Sequence, residues 1–184
     1  MGQEGPPGRP ELTVVREGTE TGKPDGPEKP ERDEGPEPLV LLLSGPNLNL
    51  LGQRQPEIYG RDNLADHVSR ASMAAGQYGL AVEHVQSDYE GALVEAVHGA
   101  RGRAVAVVIN PGALTHYAWS LHDALAAFEG PVIELHLTNP GRREPWRHRS
   151  VVTPVATGVI AGFGGDGYRL AIEAVAAILR ASRR

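Results

Sequence analysis

The sequence predicts an α/β fold, a parallel β-sheet with helices packed on both faces. Three observations carry this reading. From residue 39 onward strand and helix signals alternate, giving five strands and their intervening helices. The strand segments are apolar runs, clearest at 39–43 and 104–109, as strands buried on both faces require. Gly79 and the pair Gly130-Pro131 stand where helical periodicity stops.

Each element has its own justification. Residues 1–38 hold 8 of the 15 prolines, with 10 acids against 5 bases and few large apolar groups. Such a segment cannot bury enough surface to offset its ordering entropy, so a disordered tail is expected there and one folded domain over 39–184. The run 39–43 is the first strand. Residues 62–78 read as a helix with Leu64, Val68, Ala71 and Ala75 on one face. Residues 81–85 are the second strand. Ser87-Asp88-Tyr89-Glu90 has capping-box spacing and opens a helix to about Ala100. Six consecutive apolar residues, 104–109, form the third strand, and 115–128 the next helix. Residues 132–137 are the fourth strand, followed by a polar, arginine-rich loop at 139–150. Residues 155–161 and 165–181 complete the chain as strand and helix. For five such strands the expected arrangement is a flavodoxin-like three-layer sandwich with sheet order 2-1-3-4-5.

Composition removes several function classes. The absence of cysteine excludes disulfides, a thiol nucleophile and thiolate-bound metal. The only lysines, Lys23 and Lys29, lie in the tail, so the domain has none for Schiff-base chemistry. Beyond the tail 13 acids balance 13 bases, so the net charge of −5 belongs to the tail. A neutral body lacks the basic face that nucleic-acid binding needs. No apolar run approaches the roughly 20 residues of a membrane span, and no leader-like apolar region is visible. A soluble cytoplasmic protein with no membrane partner is expected. No metal-ligand spacing appears, and no cofactor motif.

In doubly wound sheets ligands bind beyond the carboxyl ends of the strands. Polar residues gather at all five of those ends: Ser44 to Asn47, Gln86 to Asp88, Asn110 to Gly112 with Thr115 and His116, Glu134 to Asn139, and Gly162 to Gly165. Glu134 and His136 are two apart and share one strand face, where a carboxylate can fix the imidazole tautomer. The loop 48–60 has the length of a lid and carries Arg54 and Tyr59. A guanidinium near a phenol favours phenolate. The glycine-rich turn 162–167 does not match a dinucleotide-binding fingerprint and reads as close helix–strand packing. His67, His84 and His98 read as solvated surface residues.

Several segments together carry a resemblance. GPNLNLLGQRQPEIYG at 45–60 closely resembles the lid segment of type II 3-dehydroquinate dehydratases. So, in order, do QSD at 86–88, INPGALTH at 109–116, ELHLTN at 134–139, REPWRH at 143–148 and ATGVIAG at 156–162 resemble that family's further motifs. The resemblance implies a catalytic domain over 39–184 with a flavodoxin-like fold. It implies dehydration of 3-dehydroquinate to 3-dehydroshikimate in the shikimate pathway, through an enolate and without a cofactor. By position, Tyr59 would be the general base, held as phenolate by Arg54. Asn47 would stabilise the enolate oxygen, and His136 would be the general acid, oriented by Glu134. Asn110, His116 and Arg147 would bind substrate hydroxyls, and the backbone of Leu137 and Thr138 its carboxylate. Asp123 matches a residue supplied from a neighbouring subunit, in trimers that assemble as dodecamers. The chain departs from the common pattern at Ser44, Gly141, His122 and Arg149.

Two other classes fit such a fold: a catalytically silent module binding a small anion or partner, and a flavin-binding electron carrier. Arg54, Tyr59 and His136 occurring together favour the enzyme. A visible absorption spectrum separates out the flavoprotein.

Overall fold

The computed structural model describes residues 13–15, 36–53 and 61–182. Arg54 and Tyr59 lie outside these residues, as does most of the expected tail. The strands are β1 (Thr13–Val15), β2 (Leu39–Ser44), β3 (Ala81–Gln86), β4 (Ala104–Asn110), β5 (Val132–His136) and β6 (Gly158–Ala161). The helices are α1 (Leu64–Gly76), α2 (Glu90–Ala100), α3 (Trp119–Ala126) and α4 (Asp166–Ala181). The sheet order is β1-β3-β2-β4-β5-β6. Strands β2 to β6 are parallel, in the expected order 2-1-3-4-5.

Strand β1 departs from expectation. The tail's composition predicts no element there, yet Thr13–Val15 pairs antiparallel with β3, Val14 opposite Val85. These three residues are β-branched and meet the otherwise open edge of β3. A composition averaged over 38 residues does not register so short a run.

Alternation along each strand explains the two cores. Val40, Leu42, Ala106, Val108, Ile133 and Leu135 pack one sheet face against α1 and α4. Leu41, Leu43, Val107, Ile109 and Val132 pack the other against α2 and α3. Strand β2 is central, and Val40 through Leu43 are wholly buried.

Three local expectations are corrected. Helix α3 begins at Trp119, because Gly112–His116 forms a 3-10 turn first. Strand β6 begins at Gly158, because Thr153–Val155 is also a 3-10 turn. The capping box belongs to α1: the Asn63 side chain accepts from the Asp66 N–H, and Asp66 accepts from the Asn63 N–H, both at 2.9 Å. The Glu90 carboxylate instead accepts from the backbone N–H groups of Ser120 and Leu121, capping α3.

Candidate active site

The loops beyond β2, β4 and β5 enclose a cavity of about 330 Å³. Of the residues expected in the site, Asn47, Asn110, His116, His136, Leu137, Thr138 and Arg147 line it. Glu134 lies one hydrogen bond behind His136. Asp123 is exposed on α3 and does not line the cavity. Arg54 and Tyr59 fall outside the described residues.

Glu134 and His136 form the most highly organised part of the site. His136 Nε2 lies 2.8 Å from Glu134 Oε1. A carboxylate accepts, so the Nε2 proton is committed there and Nδ1 is left for exchange with a ligand. Glu134 is fully buried, and Ser150 Oγ also donates to Oε1 at 2.8 Å. Thr153 Oγ1 donates to Oε2. Burial acts to raise the Glu134 carboxyl, but the hydrogen bonds from His136, Thr153 and Ser150 outweigh it and hold the group below its ordinary value. The site therefore keeps a buried, ionised carboxylate at the Nε2 edge of an imidazole.

Backbone geometry places the asparagines. Asn47 sits in the left-handed region at φ 65°, a conformation its short amide side chain tolerates. Its N–H donates to Asp88 Oδ1 at 3.0 Å. Asn110 ends β4 and is buried; its Oδ1 accepts the Gly112 N–H at 3.3 Å. The His116 ring is fixed by Nδ1, which donates to the Arg149 carbonyl at 2.7 Å. Arg147 Nε donates to Glu144 at 2.7 Å, and its guanidinium lies 4.0 Å from the Trp146 ring centre.

Two of the three surface histidines are corrected, while His98 is exposed as expected. His84 is buried with Nε2 3.0 Å from Ser44 Oγ, and burial pushes it down to about 4. His67 is buried and stacked on Tyr168, ring centres 5.1 Å apart. Burial, and then the Arg70 charge, lowers it. The Tyr168 hydroxyl, also buried, faces Asn110 and Ser44 without closing a hydrogen bond. The glycine-rich turn packs as expected: a Cβ at Gly167 would meet Leu135 at 2.8 Å, and one at Gly165 would meet His67 at 2.6 Å.

Sequence reasoning missed Arg143, Glu144 and Trp146 in the cavity wall, and Ser150 and Thr153 behind Glu134. The signal for the first three was their place in the arginine-rich loop beyond β5. Among the described residues no group of three His, Cys, Asp or Glu could hold a metal. Nor is any described helix long and apolar enough to cross a membrane.

Comparison with known proteins bears on this arrangement. The family model described as Dehydroquinase class II matches residues 38–176. The 3-dehydroquinate dehydratase 2 of Pseudomonas putida is 49% identical over 143 residues, 78% of this chain and 96% of that protein. The 3-dehydroquinate dehydratase 2 of Pseudomonas aeruginosa is 53% identical over 134 residues, 73% and 90% of the two chains. Among solved structures, the type II dehydroquinase of Butyrivibrio crossotus superimposes with TM-score 0.74 at 39% identity, covering 77% of this chain and 99% of that one. That of Propionibacterium acnes gives 0.73 at 42% identity, with coverage of 76% and 96%.

Proposed function

The chain belongs to the class II dehydroquinase family, and from that premise we propose how its cavity performs the family's reaction. The enzyme is a hydro-lyase of the shikimate pathway that dehydrates 3-dehydroquinate to 3-dehydroshikimate. The observation that carries the mechanism is the ionised, buried Glu134 bound to His136 at 2.8 Å on the cavity wall.

The reaction breaks a C–H bond next to a ketone and then a C–O bond to a hydroxyl. Tyr59, as phenolate held by Arg54, removes the proton. Negative charge develops on the ketone oxygen, and Asn47 meets it with a hydrogen bond or a held water. His136 protonates the departing hydroxyl through Nδ1, its other nitrogen being tied to Glu134. Asn110, His116 and Arg147 hold substrate hydroxyls, and the Leu137 and Thr138 backbone amides hold the carboxylate. No cofactor enters. The protein works in the cytoplasm as trimers assembled into a dodecamer, with Asp123 reaching a neighbour's cavity. Its exposure, beside Tyr117 and Trp119 at 59% and 54% exposed, supports that placement.

The test is a continuous ultraviolet assay for the conjugated enone product. Tyr59→Phe should lose about 100- to 10,000-fold in kcat while still binding substrate. Turnover within a few-fold of wild type would sink the assignment of Tyr59.

A further inference from the structure

We propose that Trp146 is a positioning residue, holding His116 and Arg147 in the geometry that binds substrate. This inference rests on the dehydratase reading for the identity of the ligand. Trp146 belongs to the turn Pro145–His148, and its side chain contributes to neither apolar core. It is 57% exposed, an unusual position for the largest apolar side chain. What it touches explains its place. The His116 ring stands nearly perpendicular to it in a T-shaped contact, centres 5.2 Å apart at 79°. The Arg147 guanidinium lies over its face at 4.0 Å. These partners come from separate segments, His116 from the turn after β4 and Arg147 from the loop after β5. All three side chains line the same cavity.

Each partner is already fixed at one point. Nδ1 of His116 is tied to the Arg149 carbonyl, and Nε of Arg147 to Glu144. A single hydrogen bond leaves a ring or a guanidinium free to rotate about it. The indole supplies a second contact to each, so both have a set orientation before substrate arrives. The donors left to meet substrate are the terminal nitrogens of Arg147, and His116 presents Nε2. Holding a long arginine side chain ready removes an ordering cost that binding would otherwise carry. Indole is suited to the task because its face attracts a cation and its ring accepts edge contacts. Trp146 has no part in moving protons, so its removal should weaken binding and leave the chemical step alone.

Steady-state kinetics of three variants test this, using the whole chain. Trp146→Ala and Trp146→Leu should raise KM for 3-dehydroquinate by about 5- to 30-fold, the scale of a lost cation–π and edge contact. Their kcat should stay within about threefold of wild type. Trp146→Phe keeps an aromatic face and should restore KM to within about threefold. In an Arg147→Ala background, Trp146→Ala should add less than it does alone, because one partner is already missing. Unchanged KM in Trp146→Ala, a Leu variant as good as Phe, full additivity with Arg147→Ala, or a loss confined to kcat would each overturn the inference while leaving the dehydratase reading intact. A wild-type protein that forms no enone would overturn both.

Discussion

Lowering the pH from 7 to 4 should destabilise the fold through His84, and the size of the effect follows from where that ring sits. The side chain points from β3 to the sheet face covered by α1 and α4, is 6% exposed, and meets Ser44 Oγ at 3.0 Å. Burial disfavours its charged form, so its value falls from 6.5 to about 4. In the unfolded chain the ring titrates near 6.5. Between those two values the unfolded state holds more protons than the folded one, so stability falls as pH falls through that window. It is fully present above 6.5 and lost by about 4. At 1.36 kcal/mol for each pH unit, the window is worth about 3 kcal/mol. That is a large fraction of a typical domain's total of about 5–15 kcal/mol. His67 is lowered mainly by burial and adds in the same direction. The assay is urea unfolding at fixed protein concentration from pH 7 to 4, comparing wild type with His84→Gln. The amide keeps a donor for Ser44 and cannot ionise. The variant should lose about 3 kcal/mol less than wild type across the range. Parallel pH dependences would show that the ring is not held neutral by burial.

Glu134→Gln should cut kcat by about 10- to 1,000-fold with a smaller change in KM at neutral pH, where the carboxylate, held below its ordinary value, is ionised in wild type and a neutral amide cannot accept from His136, Ser150 and Thr153 together; turnover within a few-fold of wild type in the enone assay would refute the role of the pair. Deleting residues 1–38 should leave kcat unchanged, bring the formal net charge from −5 to zero and uncover the β3 edge that Thr13–Val15 pairs with, so reduced solubility is expected on both counts and a soluble but inactive truncation would count against the assigned domain boundary. Asp123→Ala should weaken assembly and activity together, read by sedimentation alongside the enone assay; a fully active monomer would refute a shared site.

The fold was legible because both layers of the argument agreed: apolar strand runs demand cover on both faces, and the intervening segments have helical spacing. The Glu134–His136 pair was legible for the same reason, since residues two apart on one strand must share a face. What surrounds it was not. Ser150 and Thr153 reach Glu134 from 16 and 19 residues away, through a loop whose path no local pattern sets. Glu90 looked like the cap of its own helix and instead caps α3, 30 residues on. The buried histidines are a different case, because the fold class alone could have placed them. A sheet covered on both faces has no solvated side, so His84, on the same face as Val82, belongs inside. His67 falls three residues after Leu64 and four before Ala71, on the stripe already assigned to the core. Reading polarity as exposure overrode the periodicity in both instances.

The described part of the site is rigid for reasons that lie in its backbone. Gly45 donates its N–H to the Asn110 carbonyl at 2.8 Å, and a Cβ there would run into the Pro111 carbonyl. Across the same contact a Cβ at Gly112, where φ is +57°, would come within 3.0 Å of the Pro46 carbonyl. The loops after β2 and β4 are thus pressed backbone to backbone: only hydrogen fits at Gly45, and at Gly112 a tight contact and a positive φ both disfavour a side chain. Asn47 follows directly on one of these loops and Asn110 opens the other. Asn47 is tied in turn to Asp88 beyond β3, and the Ser87 N–H donates to the Ser44 carbonyl at 3.0 Å. Three neighbouring strand ends are therefore locked to one another before any substrate arrives. On the fourth, Glu134 and His136 sit on the opposite sheet face from Ser44 and Asn110, by the alternation that sorts the two cores. The cavity straddles the sheet edge, lined by Asn47 and Asn110 from the loops after β2 and β4 and by His136, backed by Glu134, from β5. An enolate and a leaving hydroxyl form at different carbons of one ring, and a site built on two faces of a sheet can meet each with its own fixed group.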